Sequence, residues 1–320
     1  MNSSSALVDW LLDSLELNTR LFHVGRYCGD WHASTHGLAS ASFHLIVQGQ
    51  CWLHIEGEPV PQLLNNGDAV FLLRDLEYRL SGEATAAGAQ QCPRRPMLPL
   101  DVAADNGVGL VCGFFHFQSG LSAMIVDTLP AWIILRAGDP SLTAARKLFE
   151  LILQECECTP APSCALLERL CHLLFLYVLR QQVLDNTTLG GLAALGRQPA
   201  FANLLEQLIA RPAEAWTLES MAACTGLSRS AFFKRFNELS GQSPGQVLLM
   251  MRMRHACRLF KADQTVADVS LAVGYQSVAA FTRAFHKVTG QQPGAYRKGQ
   301  APLRSRTPTE PGNVFVQSST

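Results

Sequence analysis

The sequence predicts a two-domain α+β chain: a β-barrel or sandwich with packing helices over residues 1–185, then an all-α domain with two helix-turn-helix units over residues 199–298. Three observations predict it. Short strand-like runs separated by turn signals occupy residues 20–120, the pattern of small all-β domains. A set of residues in the last third recurs at a fixed offset of 49, the mark of a duplicated unit. The charge divides in the same way. Residues 1–196 carry 11 Lys and Arg against 19 Asp and Glu (net −8), whereas residues 197–300 carry 13 against 6 (net +7).

The length of 320 residues is more than one core usually organises and suits two domains. Hydrophobic residues at 48% and charged residues at 16% exclude a disordered chain. Residues 1–20 lack a basic segment followed by an apolar core, because Asp9, Asp13 and Glu16 interrupt it. The most apolar stretch, Leu170 to Leu179, is about half the ~20 residues that a membrane-spanning helix requires. A cytoplasmic protein with no membrane partner is expected. A basic domain on an acidic body calls for an anionic partner for that domain alone, nucleic acid first.

In chain order, Phe43 to Val47, Cys51 to Ile55, Ala69 to Leu73 and Gly109 to Phe117 read as strands. Turns fall at Gln48-Gly49, Glu56-Gly57-Glu58-Pro59 and Asn65-Asn66-Gly67-Asp68. Residues 141–156 and 164–184 read as helices. In the second, Leu166, Leu170, Leu173, Leu174 and Tyr177 form an apolar stripe for the barrel or for a second copy of the chain. Residues 186–198, rich in Thr, Gly and Ala up to Gly196, read as a linker. Residues 299–320, polar with three Pro, read as a disordered tail.

The repeat lies between them. Ser228, Ala231, Phe232, Phe236, Gly241 and Pro244 return as Ser277, Ala280, Phe281, Phe285, Gly290 and Pro293. Each unit reads as a capped helix, a Gly-centred turn and a second capped helix. Thr217 caps the first, Gly226 turns, and Ser228 caps a helix with the stripe Phe232, Phe236 and Leu239. Thr265, Gly274 and Ser277 repeat the grammar, with Phe281, Phe285 and Val288 inward. Gln246 to Lys261 between the units reads as a rigid helical spacer. Two helix-turn-helix units on a segment of charge +7 point to DNA, with recognition helices for successive major grooves ~34 Å apart.

Trp216 to Arg297 closely resembles the AraC/XylS class of transcription regulators, through Gly274-Tyr275-Gln276-Ser277, Phe281-Thr282-Arg283-Ala284-Phe285-His286-Lys287 and Gly290-Gln291-Gln292-Pro293-Gly294-Ala295-Tyr296-Arg297. The resemblance implies double-stranded promoter DNA and RNA polymerase as partners, and activation as the habitual sign. It aligns Ser230, Phe233 and Lys234 with base-facing positions. The faces opposite the Phe stripes supply the wider DNA-binding set: Arg229, Ser230, Phe233 and Lys234 in the first unit, Val278, Ala279, Thr282, Arg283 and Lys287 in the second. Lys234 suits guanine, Arg283 guanine or a phosphate, Phe233 a thymine methyl and Lys287 a phosphate. For Phe233, core packing competes. Arg252, Arg254, His286, Arg297 and Lys298 are read as serving phosphates or solvent.

Phe43-His44-Leu45-Ile46-Val47-Gln48-Gly49 and Asn66-Gly67-Asp68-Ala69-Val70-Phe71-Leu72-Leu73 resemble the cupin-like sensor domain of one branch of these regulators. The resemblance implies a domain that senses a signal and dimerises. Against the enzymatic cupin pattern, Ile46 stands where a second His is expected and Tyr78 where the later His is expected, so no metal, cofactor or catalytic residue is assigned. The alternative is a cupin-type metalloenzyme carrying a DNA-binding domain. His54 and Glu56 would project to one side of a strand, and His116, on an apolar strand, reads as a core histidine. Ten cysteines leave three readings open. They are packed thiols, a metal site on Cys156, Cys158, Cys164, Cys171 and His172, or oxidant sensing. Similarity to oxidant-responsive regulators makes Cys28 and Cys112 the regulatory candidates. A small-molecule effector competes with oxidant as the signal.

Overall fold

The computed structural model describes residues 3–28, 31–38, 40–84, 98–100, 107–117, 120–158, 162–185 and 191–300. Of the predicted tail, residues 299 and 300 instead close the last helix, and residues 301–320 lie outside the described residues. The chain opens with helix α1 (Ser3–Ser14) and strands β1 (Leu17–Tyr27), β2 (His32–Ala33), β3 (Ala41–Gln48), β4 (Gln50–Ile55), β5 (Gln62–Asn65), β6 (Ala69–Leu72), β7 (Tyr78–Ser81) and β8 (Val108–Phe117). Helix α2 (Gly120–Val126) and strand β9 (Trp132–Leu135) follow, then α3 (Thr143–Cys156) and α4 (Cys164–Asp185). The remaining helices are α5 (Gly191–Gly196), α6 (Pro199–Ala210), α7 (Leu218–Thr225), α8 (Arg229–Ser240), α9 (Pro244–Lys261), α10 (Val266–Ala272), α11 (Val278–Thr289) and α12 (Pro293–Gln300).

The strands form two antiparallel sheets, ordered β1-β8-β3-β6-β9 and β2-β7-β4-β5. Ile46, Val70 and Leu110 of the first meet Leu53, Leu64 and Leu80 of the second in a core between the sheets. On the other face of the first sheet, Phe71 and Phe115 pack on Phe175 of α4, and Phe43 packs on Phe115. Both faces of β3 and β8 are thus covered. That explains why they read as nearly unbroken apolar runs. The turn at Gly67 is pinned by buried Asp68, which accepts from the amides of Asn65 and Ala137 and from Arg136.

Several expectations change. Leu166, Leu173 and Tyr177 are exposed, and α4 turns Leu167, Cys171, Leu174, Phe175 and Val178 inward. Helix α4 carries apolar residues on more than one face, so periodicity alone did not choose the buried one. The stretch read as a linker is partly helical. Leu192, Ala193, Ala194 and Leu195 of α5 are buried and the helix packs on α8, because four apolar residues in six found a core to join. His116 is exposed near the end of β8, beyond the covered part of the strand, and the buried histidine is His44. β1, with polar residues along an edge and a bulge between Leu21 and His23, gave no periodic signal.

Candidate nucleic-acid interface

Local capping builds each recognition helix. Thr217 and Ser220 form a reciprocal capping box at the start of α7, and Gly226 closes that helix at φ +70°. Ser228 accepts from the amide of Ala231 to start α8. In the second unit Thr265 caps α10 and Ser277 accepts from Ala280 to start α11. Here the turn is one residue longer, Gly274-Tyr275-Gln276 against Gly226-Leu227. Gly274 has φ +84°, and a Cβ there would stand 2.5 Å from the carbonyl oxygen of Ala213, so only glycine fits. Phe232 and Phe236 are fully buried against Phe201. Phe281 and Phe285 are fully buried against Phe260.

Fixing those four rings inward turns the opposite faces out. Arg229, Ser230, Phe233 and Lys234 are exposed on α8, as are Val278, Ala279, Arg283 and Lys287 on α11, with Thr282 half-buried. Phe233 at 42% and Val278 at 46% exposure are apolar side chains left uncovered on these two helices. Arg229 pairs with Glu219 at 2.9 Å and Lys234 approaches Glu238 at 3.9 Å. Such exposed pairs are weak. α9, 18 residues or roughly 27 Å long, separates the two units.

Other basic residues have different work. Arg252 donates to the carbonyls of Pro212 and Glu214 and lies over the Tyr275 ring. Arg254 is buried and pairs with Asp13. Arg297 pairs with Asp263. The reading of Arg252 and Arg254 as phosphate or solvent residues is therefore corrected. Only the fold could reveal this, because the hydrogen-bond partners of Arg252 and Arg254 lie 38 to 241 residues away.

Inside the first domain a buried polar chain runs through the sheets. His44 Nδ1 lies 3.0 Å from Cys112 Sγ and Nε2 lies 2.5 Å from the Tyr78 hydroxyl. The neutral ring donates to one neighbour and accepts from the other. Tyr78 is also held by the amide and hydroxyl of Thr35. Burial pushes the His44 pKa down to about 3, Tyr78 up to about 12, and the Cys112 thiol far above its usual range. Tyr78 also borders an open cleft of about 860 Å³ with His32, His36, His54, Glu56 and Arg79 around it. His54 and Glu56 thus share one side. Among the described residues no three His, Cys, Asp or Glu side chains are placed to hold a metal ion, the Cys156 to His172 set included.

Cys28 and Cys112 are not brought together. Cys112 is registered with His23 on β1, five residues before Cys28, a separation of roughly 16 Å along a strand. A disulfide needs Cα atoms within ~7 Å. Cys28 is half-buried and Cys112 buried.

Residues 7–183 match the family described as Cupin, and residues 221–299 match a helix-turn-helix domain. An AraC-like transcription regulator from Streptomyces antibioticus is 30% identical over 266 residues, which cover 81% of this chain and 88% of that relative. This chain belongs to the AraC-like transcription regulators. The RCS-specific HTH-type transcriptional activator RclR of Escherichia coli is 25% identical over 91% of this chain and 98% of its own. The DNA-binding domain of AdpA, solved with a target DNA, is 31% identical and covers 31% of this chain and 89% of that one, with a TM-score of 0.30. This AraC-like regulator thus joins a cupin sensor domain to a DNA-binding domain. No helix among its described residues is long and apolar enough to cross a membrane.

Proposed function

We propose that this regulator is a cytoplasmic, non-enzymatic activator that reads a two-box promoter site through α8 and α11 and works with RNA polymerase there. The observation that carries this reading is the pair of capped helices that bury two Phe rings each and leave apolar and basic side chains outward. Arg283 and Lys234 read guanine, Phe233 and Val278 pack on thymine methyls, and Arg229 and Lys287 hold phosphates, with Ser230, Ala279 and Thr282 lining the approach. In vitro transcription from the DNA upstream of the regulator's own gene and its neighbours tests it. Added protein should raise output from at least one promoter. No change from any, with no saturable DNA binding at moderate salt, would overturn it.

The signal is a small polar molecule held in the cleft beside Tyr78. The cleft's size suits a small ligand, and its imidazoles, three carboxylates (Glu56, Glu58 and Glu77) and one guanidinium suit a polar one. Oxidant is the less favoured signal, because buried Cys112 offers no thiolate. Reversible gain of transcript on adding oxidant, then reductant, would reverse that preference. The regulator forms a homodimer through Leu166, Leu173 and Tyr177 of α4. What supports this is a row of apolar side chains uncovered on one helix face.

A further inference from the structure

Helices of the sensor domain lie against both halves of the DNA-binding domain. α1, which precedes the barrel in sequence, packs on α5 and α6 beside the first helix-turn-helix unit, with Leu7, Val8 and Leu11 buried. The approach is close: a Cβ on Gly196 would come within 2.8 Å of the Leu7 side chain. α2, which follows the central strand β8, packs on the spacer α9 and on α11, the second recognition helix.

Around the junction of α1 and β1, two carboxylates reach the spacer itself. Arg254 donates to Asp13 at 2.7 Å and Lys261 donates to Glu16 at 2.8 Å. Arg254 and Lys261 are seven residues apart, two helical turns, and so share one face of α9. The Arg254 residue is 8% exposed, whereas the Asp13 side chain is 73% exposed, so the pair is screened from the Asp13 side and fixes the direction of the contact more than it adds stability. A single helix sets the separation of the units at its two ends. Their relative rotation depends on contacts away from its axis, and α1 on α6 and α2 on α11 are such contacts. This docking leaves the outward faces of α8 and α11 exposed.

We infer that Asp13 and Glu16 are positioning residues for DNA reading. With α1 and α2 they brace the spacer, so that the sensor domain sets the rotation at which α8 and α11 enter two successive grooves.

The test uses the full chain and a duplex that the wild-type protein selects from a random pool. Binding is read by fluorescence anisotropy on that duplex, on one with a base pair inserted between the boxes, and on one with a scrambled box. The double variant Asp13→Asn, Glu16→Gln should bind the selected duplex roughly tenfold more weakly, inside the ~5–150-fold range usual for coupled sites. It should discriminate less against the inserted base pair and bind the one-box duplex as the wild type does. Glu16→Lys alone should weaken binding in the same pattern, and adding Lys261→Glu should restore it. Four outcomes would overturn the inference: unchanged affinity and spacing discrimination, tighter binding, an equal loss on the one-box duplex, or no restoration by the charge exchange.

Discussion

Replacing His44 by Gln should remove a specific share of the acid sensitivity of the sensor domain. In the folded protein the His44 pKa is held near 3 by burial, against 6.5 for an ordinary histidine. Between those values the unfolded chain holds a proton that the folded chain does not. The contribution is therefore fully present above pH 6.5 and is lost as pH falls toward 3. Each pH unit in that window costs ~1.4 kcal/mol, so the fall from pH 7.5 to pH 5 removes about 2 kcal/mol. That is a large part of the ~5–15 kcal/mol that holds a typical domain together. The groups facing the ring, Cys112 and Tyr78, both have raised pKa values and stay neutral across this range. Glutamine keeps a donor and an acceptor for them without a titrating nitrogen. Urea unfolding at both pH values, followed through the fluorescence of Trp31, Trp52 and Trp132, measures the difference. The wild type should lose about 2 kcal/mol more than the variant over that interval. Parallel losses would show that His44 is not buried neutral in the folded protein, and the reasoning would fail.

Arg283→Ala should weaken binding to the selected duplex by ~1–3 kcal/mol if the side chain reads a base, and an equal loss on random DNA would make it a phosphate contact. Lys287→Ala should weaken all duplexes alike and reduce the salt slope by about one. A loss confined to the specific site would contradict that role. Gly274→Ala should lower thermal stability of the DNA-binding domain through ~1–3 kcal/mol of backbone strain, because a methyl group there meets the Ala213 carbonyl at φ +84°. An unchanged melting temperature would refute it. Leu173→Asp should convert a dimer to a monomer by light scattering without lowering stability, since this leucine is 44% exposed. A wild type that is already monomeric would end the dimer proposal.

The DNA-binding domain was legible because its signals are local. Thr217, Ser228, Thr265 and Ser277 each satisfy an amide three residues on, and the Phe pairs recur at helical spacing, so neighbours in sequence suffice to place helix, turn and outward face. The strands β3, β4, β6 and β8 were legible for the same reason. The rest depended on distant partners. Edge strand β1 carries too many polar residues to show a period, α5 looked like a linker until α8 covered it, and α4 has more apolar faces than the barrel could bury. The meeting of His44 with Cys112 and Tyr78, and of Asp13 with Arg254, spans 34 to 241 residues. Capping and periodicity act over one turn of chain, whereas burial and charge pairing depend on what the fold brings close. Sequence therefore determined what this protein is, and tertiary structure decided which cations stay exposed on α8 and α11 and which are tied up by other groups, which histidine is buried and how the two domains are joined.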